Sequence, residues 1–249
     1  MDMHDEAQIV EKIRSLYAEK KYSKLKKDLN ALNAADAAAV LEQFDEGDRM
    51  VLFRLLSKEN AAETFVEFDN DTQQSLIHTF SDAELQEVFD ELYLDDTVDI
   101  IEEMPANVVR RILSNTDKET RSAINTLLRY PEDSAGSIMT TEFVHLKRDM
   151  TVEDAIKRIK RTAVDKETIY TCYVTDNFRK LLGVTTVKEL LLHKDTDVID
   201  DFMEKNVIYI NTLDDQEVVA NQFDKYNFLA MPVCDMEERL VGIITIDDA

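Results

Sequence analysis

The chain has 249 residues, 44% of them hydrophobic, and its 52 acidic and 29 basic side chains leave a net charge of −23. This charge argues against nucleic acid and anionic lipid as direct partners, and the hydrophobic content is that of a folded protein. No apolar run approaches the roughly 18–20 residues that cross a bilayer, and the acidic N-terminus shows no signal peptide. The sequence as written therefore predicts a soluble cytosolic polypeptide.

The first 130 residues predict helices throughout, because apolar residues recur at spacings of three and four. The pattern repeats every 24 residues in three parallel registers, which are Leu41, Phe65, Phe89 and Leu113; Leu52, Leu76, Ile100 and Ile124; and Leu56, Phe80, Met104 and Leu128. Ser57, Ser81 and Thr116 are candidate helix caps, each at the start of a capping-box pattern. One unit cannot bury its apolar face alone, so the units should stack into a small α-solenoid.

The negative charge is concentrated within this helical segment. Residues 36–103 contain twenty acidic side chains against three basic ones, a net charge of −17. Such a segment resists compaction unless cations neutralise it. The alternative interpretation is a solvated surface that only keeps the protein in solution.

The pattern changes after Tyr130, where Pro131 and a Ser-Ala-Gly turn mark a linker to strand-like segments. A second duplication follows: Met139 matches Met203 at an offset of 64, and Gly183 matches Gly242 at an offset of 59. Each unit reads as strand, helix, strand, turn, strand and the start of a helix. Cys172 and Cys234 lie in strand-like segments. We interpret them as small core residues rather than as a disulfide or a zinc site.

The junction PEDSAGSIMTTEFVHL, followed by tandem units ending in GVTTVKEL and GIITIDDA, resembles the MgtE family of magnesium transporters. The resemblance covers essentially the whole chain. It implies a multi-domain α and α/β fold: an all-α superhelical N domain at 1–130, a first CBS domain at 131–199 and a second at 200–249 that stops before its last helix. The family continues into a transmembrane pore, which this chain lacks.

The resemblance also implies a function. Such a region forms a homodimer through its CBS domains at the cytoplasmic face of the membrane, next to its own pore domain. Several weakly held Mg²⁺ ions between the N domain and the CBS units favour a compact, closed state. The matching positions are Glu63, Asp95 and Asp99 in the N domain, and Asp224, Asp247 and Asp248 on the CBS side.

The residues themselves give partial support to these metal positions. Asp95 and Asp99 are four apart, hence on one face of a helix, where two carboxylates repel unless a cation is near. Mg²⁺ prefers oxygen ligands and retains several waters, which suits dispersed carboxylates. Glu63 is expected near the start of a helix, where the helix dipole also favours an acid. The family often places a further aspartate three residues after the position of Asp224, and this sequence has the neutral Asn227 there.

Other functions remain open at this point. Thr245 and Asp248 keep a spacing that in CBS domains often contacts an adenine nucleotide such as ATP, so a nucleotide-sensing CBS regulator without metal gating is the main alternative. A passive solenoid scaffold is a third possibility. No nucleophile elbow, P-loop or metal-binding histidine pair is present, so we expect no enzyme activity.

Overall fold

The computed structural model describes residues 3–249, with side chains from residue 6 onward except that of residue 165. These residues form two compact units. The first unit contains the chain up to Leu92 together with Asp99–Arg121, and the second contains Tyr93–Val98 together with Ser122–Ala249. No helix within the described range is both long and apolar enough to cross a membrane.

Ten α-helices run from the N-terminus to the linker. Their bounds are α1 Met3–Ala18, α2 Tyr22–Leu29, α3 Ala34–Glu42, α4 Glu46–Phe53, α5 Lys58–Val66, α6 Asn70–Thr79, α7 Asp82–Phe89, α8 Leu94–Glu103, α9 Ala106–Asn115 and α10 Lys118–Leu127. Helices two apart in sequence pack together, α3 on α5, α5 on α7 and α7 on α9. This alternate stacking is the arrangement that the 24-residue repeat predicts.

The repeat registers form the core of the helical part. Ten of their twelve members are buried, and only Leu113 and Leu128 are half-buried. Ser57 and Ser81 cap α5 and α7 as predicted, and the Ser81 cap is a complete capping box with Glu84. The predicted cap at Thr116 is wrong. Asp117, whose carboxylate is the stronger acceptor, accepts hydrogen bonds from the N–H groups of Glu119 and Thr120.

The second unit contains two successive three-stranded sheets. Its elements are β1 Phe143–Lys147, α11 Val152–Thr162, β2 Thr168–Thr175, β3 Leu181–Thr186, α12 Val187–Leu192, α13 Ile199–Phe202, β4 Ile210–Asn211, α14 Gln216–Tyr226, β5 Ala230–Cys234 and β6 Leu240–Thr245. In both sheets the first strand is parallel to the second, and the second is antiparallel to the third. The predicted fold class, an all-α region followed by a duplicated α/β pair, is therefore confirmed. Cys172 and Cys234 are free and buried on β2 and β5.

The two α/β repeats are joined by reciprocal close contacts at their matched glycines. A Cβ on Gly183 would lie 2.8 Å from Met203 Sδ, and a Cβ on Gly242 would lie 2.6 Å from Met139 Sδ. Beside each glycine the next strand residue exchanges two backbone hydrogen bonds with the other segment, Val184 with Glu204 and Ile243 with Thr140. The duplicated Met and Gly positions thus mark a backbone approach that has no room for a side chain.

Gly242→Ala should lower the free energy of unfolding by roughly 1–3 kcal/mol, because its Cβ would overlap a methionine sulfur and a backbone carbonyl. Gly47→Ala is the matched control: its Cβ would meet nothing closer than 3.7 Å, and it lies inside α4. That substitution should stabilise by about 0.5–1 kcal/mol. Urea unfolding followed by circular dichroism compares the two, and equal stability of both variants would refute this packing account.

Candidate metal centre

Six carboxylates of the second unit lie near enough to interact electrostatically, and we call them the acidic cluster: Asp95, Asp96, Glu142, Glu167, Asp247 and Asp248. They come from four separate stretches of the chain. Asp95 and Asp96 are in the first turn of α8, and Glu142 and Glu167 immediately precede β1 and β2. Asp247 and Asp248 follow the end of β6.

Hydrogen bonds join three of these four stretches, and a local bond orients the fourth. The Leu94 N–H, at the start of α8, donates to Glu142 Oε2 at 3.1 Å. The Glu167 N–H donates to the Glu142 carbonyl at 2.9 Å, at the entrance to the parallel β1–β2 pair. Thr245 Oγ1 donates to Asp248 Oδ2 at 2.5 Å, which orients this carboxylate beyond β6. These bonds orient the carboxylates of Glu142 and Asp248 and join the start of α8 to the starts of β1 and β2.

Asp95 is the most buried member, with 5% of its surface exposed. Its Oδ1 atom has no hydrogen-bond partner. Burial, then repulsion by Asp248, Glu167 and Asp96, raises the pKa of Asp95 to about 8. The positive end of α8 favours a nearby carboxylate by only about 0.3–1 kcal/mol, which is less than the cost of burying the charge without a partner.

Glu167 and Asp248 show the same response to their surroundings. Burial, followed by repulsion from Asp248 and Asp96, raises the pKa of Glu167 to about 7, and its buried Oε2 lacks a hydrogen-bond partner. Burial also raises the pKa of Asp248, although its bond from Thr245 acts in the opposite direction. The cluster is thus a place where negative charge is held out of water and is not fully neutralised by hydrogen bonds.

The acidic cluster fits a hard divalent cation such as Mg²⁺, because its ligand atoms are all carboxylate oxygens and two buried ones lack hydrogen-bond partners. Across the described residues, no three acidic, histidine or cysteine side chains converge closely enough to ligate one ion directly. Mg²⁺ commonly binds proteins through one or two carboxylates and keeps waters in its other positions. The arrangement therefore suits an ion held partly through water.

The structure places the six predicted metal residues in four settings. Asp95, Asp247 and Asp248 come together in the acidic cluster, and Asp99 lies one helical turn after Asp95, exposed on α8. Asp224 is exposed on α14 and is not a member of the cluster. Glu63 is exposed at the sixth position of α5, so its expected place near a helix start is wrong.

Asp96, Glu142 and Glu167 were not predicted from the sequence. Each of the two glutamates is a single acidic residue immediately before a strand, a position that carries no periodic signal. The available signal was the parallel pairing of β1 with β2, which brings the starts of both strands to one edge of a sheet.

Thr245 and Asp248, the residues predicted to contact a nucleotide, form a hydrogen bond with each other. Asp248 also belongs to the acidic cluster, which would repel phosphate groups. A different part of the unit has a more suitable surface: a groove of about 640 Å³ lined by the exposed rings of Tyr170 and Phe228 and by Lys188. We call it the aromatic groove.

Comparison with known proteins supports one family across the chain. The family model described as the MgtE intracellular N domain matches residues 32–133, and the CBS domain model matches residues 135–194 and 199–249. Magnesium transporter MgtE of Thermus thermophilus is 34% identical over 228 residues, which are 90% of this chain and 50% of the relative. That of Enterococcus faecalis is 32% identical over 88% of this chain and 49% of the relative. The chain thus spans about half the length of these relatives.

Solved structures agree in fold. The crystal structure of the cytosolic domain of the Mg²⁺ channel MgtE in complex with ATP superimposes with a TM-score of 0.91 at 33% identity. The match covers 96% of this chain and 98% of that one. The crystal structure of the soluble part of a magnesium transporter gives a TM-score of 0.88 at 30% identity, over 98% of this chain and 96% of that one.

The raised pKa values of Asp95 and Glu167 predict how stability depends on pH. The folded unit keeps protons that the unfolded chain releases above about pH 4, so the free energy of unfolding should fall as the pH rises from about 4 to about 8 without divalent cations. In EDTA, Asp95→Asn should remove roughly 2–4 kcal/mol of the loss between pH 5 and pH 8.

Chemical denaturation at the two pH values measures this difference. Asp224→Asn is the control, because it removes one exposed carboxylate of the same unit. The same pH dependence in Asp95→Asn and Asp224→Asn would show that burial of Asp95 does not control the titration.

Proposed function

The chain belongs to the MgtE family, and from this premise we propose that it is the cytosolic Mg²⁺-sensing region of a magnesium transporter. In this proposal Mg²⁺ bound at the acidic cluster favours a compact state that closes a pore carried elsewhere in the full protein. The relatives that match nearly all of the chain are magnesium transporters rather than enzymes. The observation that carries the proposal is the buried Asp95 oxygen that has no partner.

Electrostatics explains why such a cluster responds to a cation. Without one, Asp95 and Glu167 either hold protons or bear charges that repel Asp248. A divalent cation relieves this repulsion only while the cluster is assembled, so binding favours the assembled state. When the Mg²⁺ concentration falls, the repulsion returns and the assembled state loses its advantage.

The size of the effect requires several ions. An ion at ten times its Kd stabilises the state that binds it by about 1.4 kcal/mol, so four weak sites supply about 5–6 kcal/mol. That is enough to move a population from 1:99 to 99:1. We propose that the exposed carboxylates of Glu63, Asp99 and Asp224 provide further weak sites in addition to the acidic cluster.

We also propose that the region works as a homodimer through its CBS domains, next to its own pore domain at the cytoplasmic face of the membrane. The support is a set of large apolar side chains in the second unit, each more than two-thirds exposed: Val164, Tyr170, Phe178, Leu191, Leu192 and Met236. Scattered exposed apolar residues are normal, but this many on one unit favours contacts with another chain.

Adenine nucleotide binding is a second candidate function, and the aromatic groove favours it. Tyr170 and Phe228 offer ring faces on which an adenine can stack, and Lys188 offers a positive charge to phosphate. The similar cytosolic domain was crystallised with ATP. We propose the groove as the nucleotide site in preference to Thr245 and Asp248, since the acidic cluster opposes phosphate there.

Small-angle scattering during a Mg²⁺ titration at fixed ionic strength tests the sensing proposal. The radius of gyration should fall at millimolar Mg²⁺, and Asp95→Asn combined with Asp99→Asn should abolish the change. Asp71→Asn combined with Asp90→Asn removes the same charge at exposed positions and should leave it intact. A nucleotide-sensing regulator would instead respond to ATP and not to Mg²⁺, and that result would reverse the order of the two candidates.

A further inference from the structure

A cavity of about 520 Å³ in the first α/β repeat differs in charge from the rest of this acidic chain. Four cationic side chains line it, Lys147, Arg158, Lys166 and Arg179, together with His145. No carboxylate is among the described residues that line it. In a protein of net charge −23, this exclusion of acidic residues is unexpected from composition. We call it the basic cavity.

Among the side chains that the structure describes, none of the acidic ones forms an ion pair with any of the four cations. Lys147 Nζ donates to Thr175 Oγ1 at 3.3 Å and to the Asp176 carbonyl. Arg158 Nε donates to the His145 carbonyl at 2.8 Å, and its Nη2 lies 2.7 Å from His145 Nε2. These bonds to neutral groups hold Lys147 and Arg158 in position but leave their charges uncompensated.

The pKa of His145 reflects the positive electrostatic potential inside the cavity. Burial, followed by the charges of Arg158, Lys147, Arg179 and Lys166, lowers the pKa of His145 to about 4. The imidazole is therefore neutral at physiological pH and accepts a hydrogen bond from the Arg158 guanidinium, which can only donate. All four cations thus disfavour a positive charge on His145. Holding four like charges this close together without an anion costs free energy.

We propose that the basic cavity binds a small polyanion that carries phosphate groups. Its volume lies within the range of small-molecule sites. Guanidinium groups match phosphate oxygens with paired hydrogen bonds, and ammonium groups add point charges. Four uncompensated cations suit a ligand with three or four negative charges, as in a triphosphate. The site is separate from the aromatic groove, with which it shares no lining residue, and from the acidic cluster.

Calorimetric titration with inorganic tripolyphosphate, in EDTA so that no divalent cation masks the phosphates, tests this site. Lys166→Gln with Arg179→Gln removes two charges whose side chains make no hydrogen bond or ion pair with the described residues. It should weaken binding about ten-fold or more. Lys157→Gln with Lys205→Gln is the charge-matched control at two exposed lysines that form ion pairs with acidic residues. It should change binding by less than about two-fold.

Unchanged circular dichroism spectra and melting temperatures of both double variants would show that they fold. No binding of tripolyphosphate to the wild-type chain, or equal weakening in both double variants, would overturn the proposal. A competition with ATP separates the two sources of phosphate: displacement of tripolyphosphate identifies nucleoside triphosphates, and no displacement identifies inorganic polyphosphates.

A Tyr170→Ala variant distinguishes phosphate binding at the basic cavity from nucleotide binding at the aromatic groove. It should weaken ATP at the aromatic groove and leave tripolyphosphate binding at the basic cavity intact. Tripolyphosphate binding that is lost in Tyr170→Ala and kept in Lys166→Gln with Arg179→Gln would assign the phosphate site to the groove and overturn the basic cavity.

Discussion

Asp95 holds a carboxylate oxygen out of water without a hydrogen-bond donor, and Asp248 and Glu167 add repulsion to that burial. An arrangement of this kind costs about 1–3 kcal/mol or more for the unpaired group alone. It persists because two hydrogen bonds join the start of α8 to the starts of β1 and β2: the Leu94 N–H donates to the Glu142 carboxylate, and the Glu167 N–H donates to the Glu142 carbonyl. A proton or a cation must compensate the charge, and this requirement couples the assembled cluster to its ionic surroundings.

The duplicated sequence predicted much of the fold because repeats report buried positions directly. The 24-residue registers mark the helical core, and the matched Met and Gly positions mark the close approach between the two α/β repeats. The acidic cluster was only half predictable. Asp95, Asp247 and Asp248 followed from family resemblance, whereas Glu142 and Glu167 depend on strand pairing between distant segments, which periodicity does not encode. The predicted cap at Thr116 was wrong for a local reason: Thr116 and Asp117 are adjacent and could both cap the helix, and the Asp117 carboxylate is the stronger acceptor.

The first α/β repeat carries sites of opposite charge around one short strand. Glu142, immediately before β1, belongs to the acidic cluster, and Lys147, at the end of β1, belongs to the basic cavity. Acidic and basic side chains beside one strand form two separate sets of residues, which suit the proposed cation and the proposed polyanion respectively. The proposed cation sensing and the proposed polyanion binding therefore rest on different residues, and substitutions can separate them.

In the proposed sensing mechanism, Mg²⁺ replaces protons on buried carboxylates. Calorimetric titration with Mg²⁺ at pH 7, in two buffers of different ionisation enthalpy, counts the protons released. With the pKa of Asp95 at about 8 and that of Glu167 at about 7, the wild-type chain should release about one proton as Mg²⁺ fills the cluster. Asp95→Asn should release markedly fewer, and Asp224→Asn as many as the wild type. Binding of Mg²⁺ without proton release, or with the same release in Asp95→Asn, would contradict the claim.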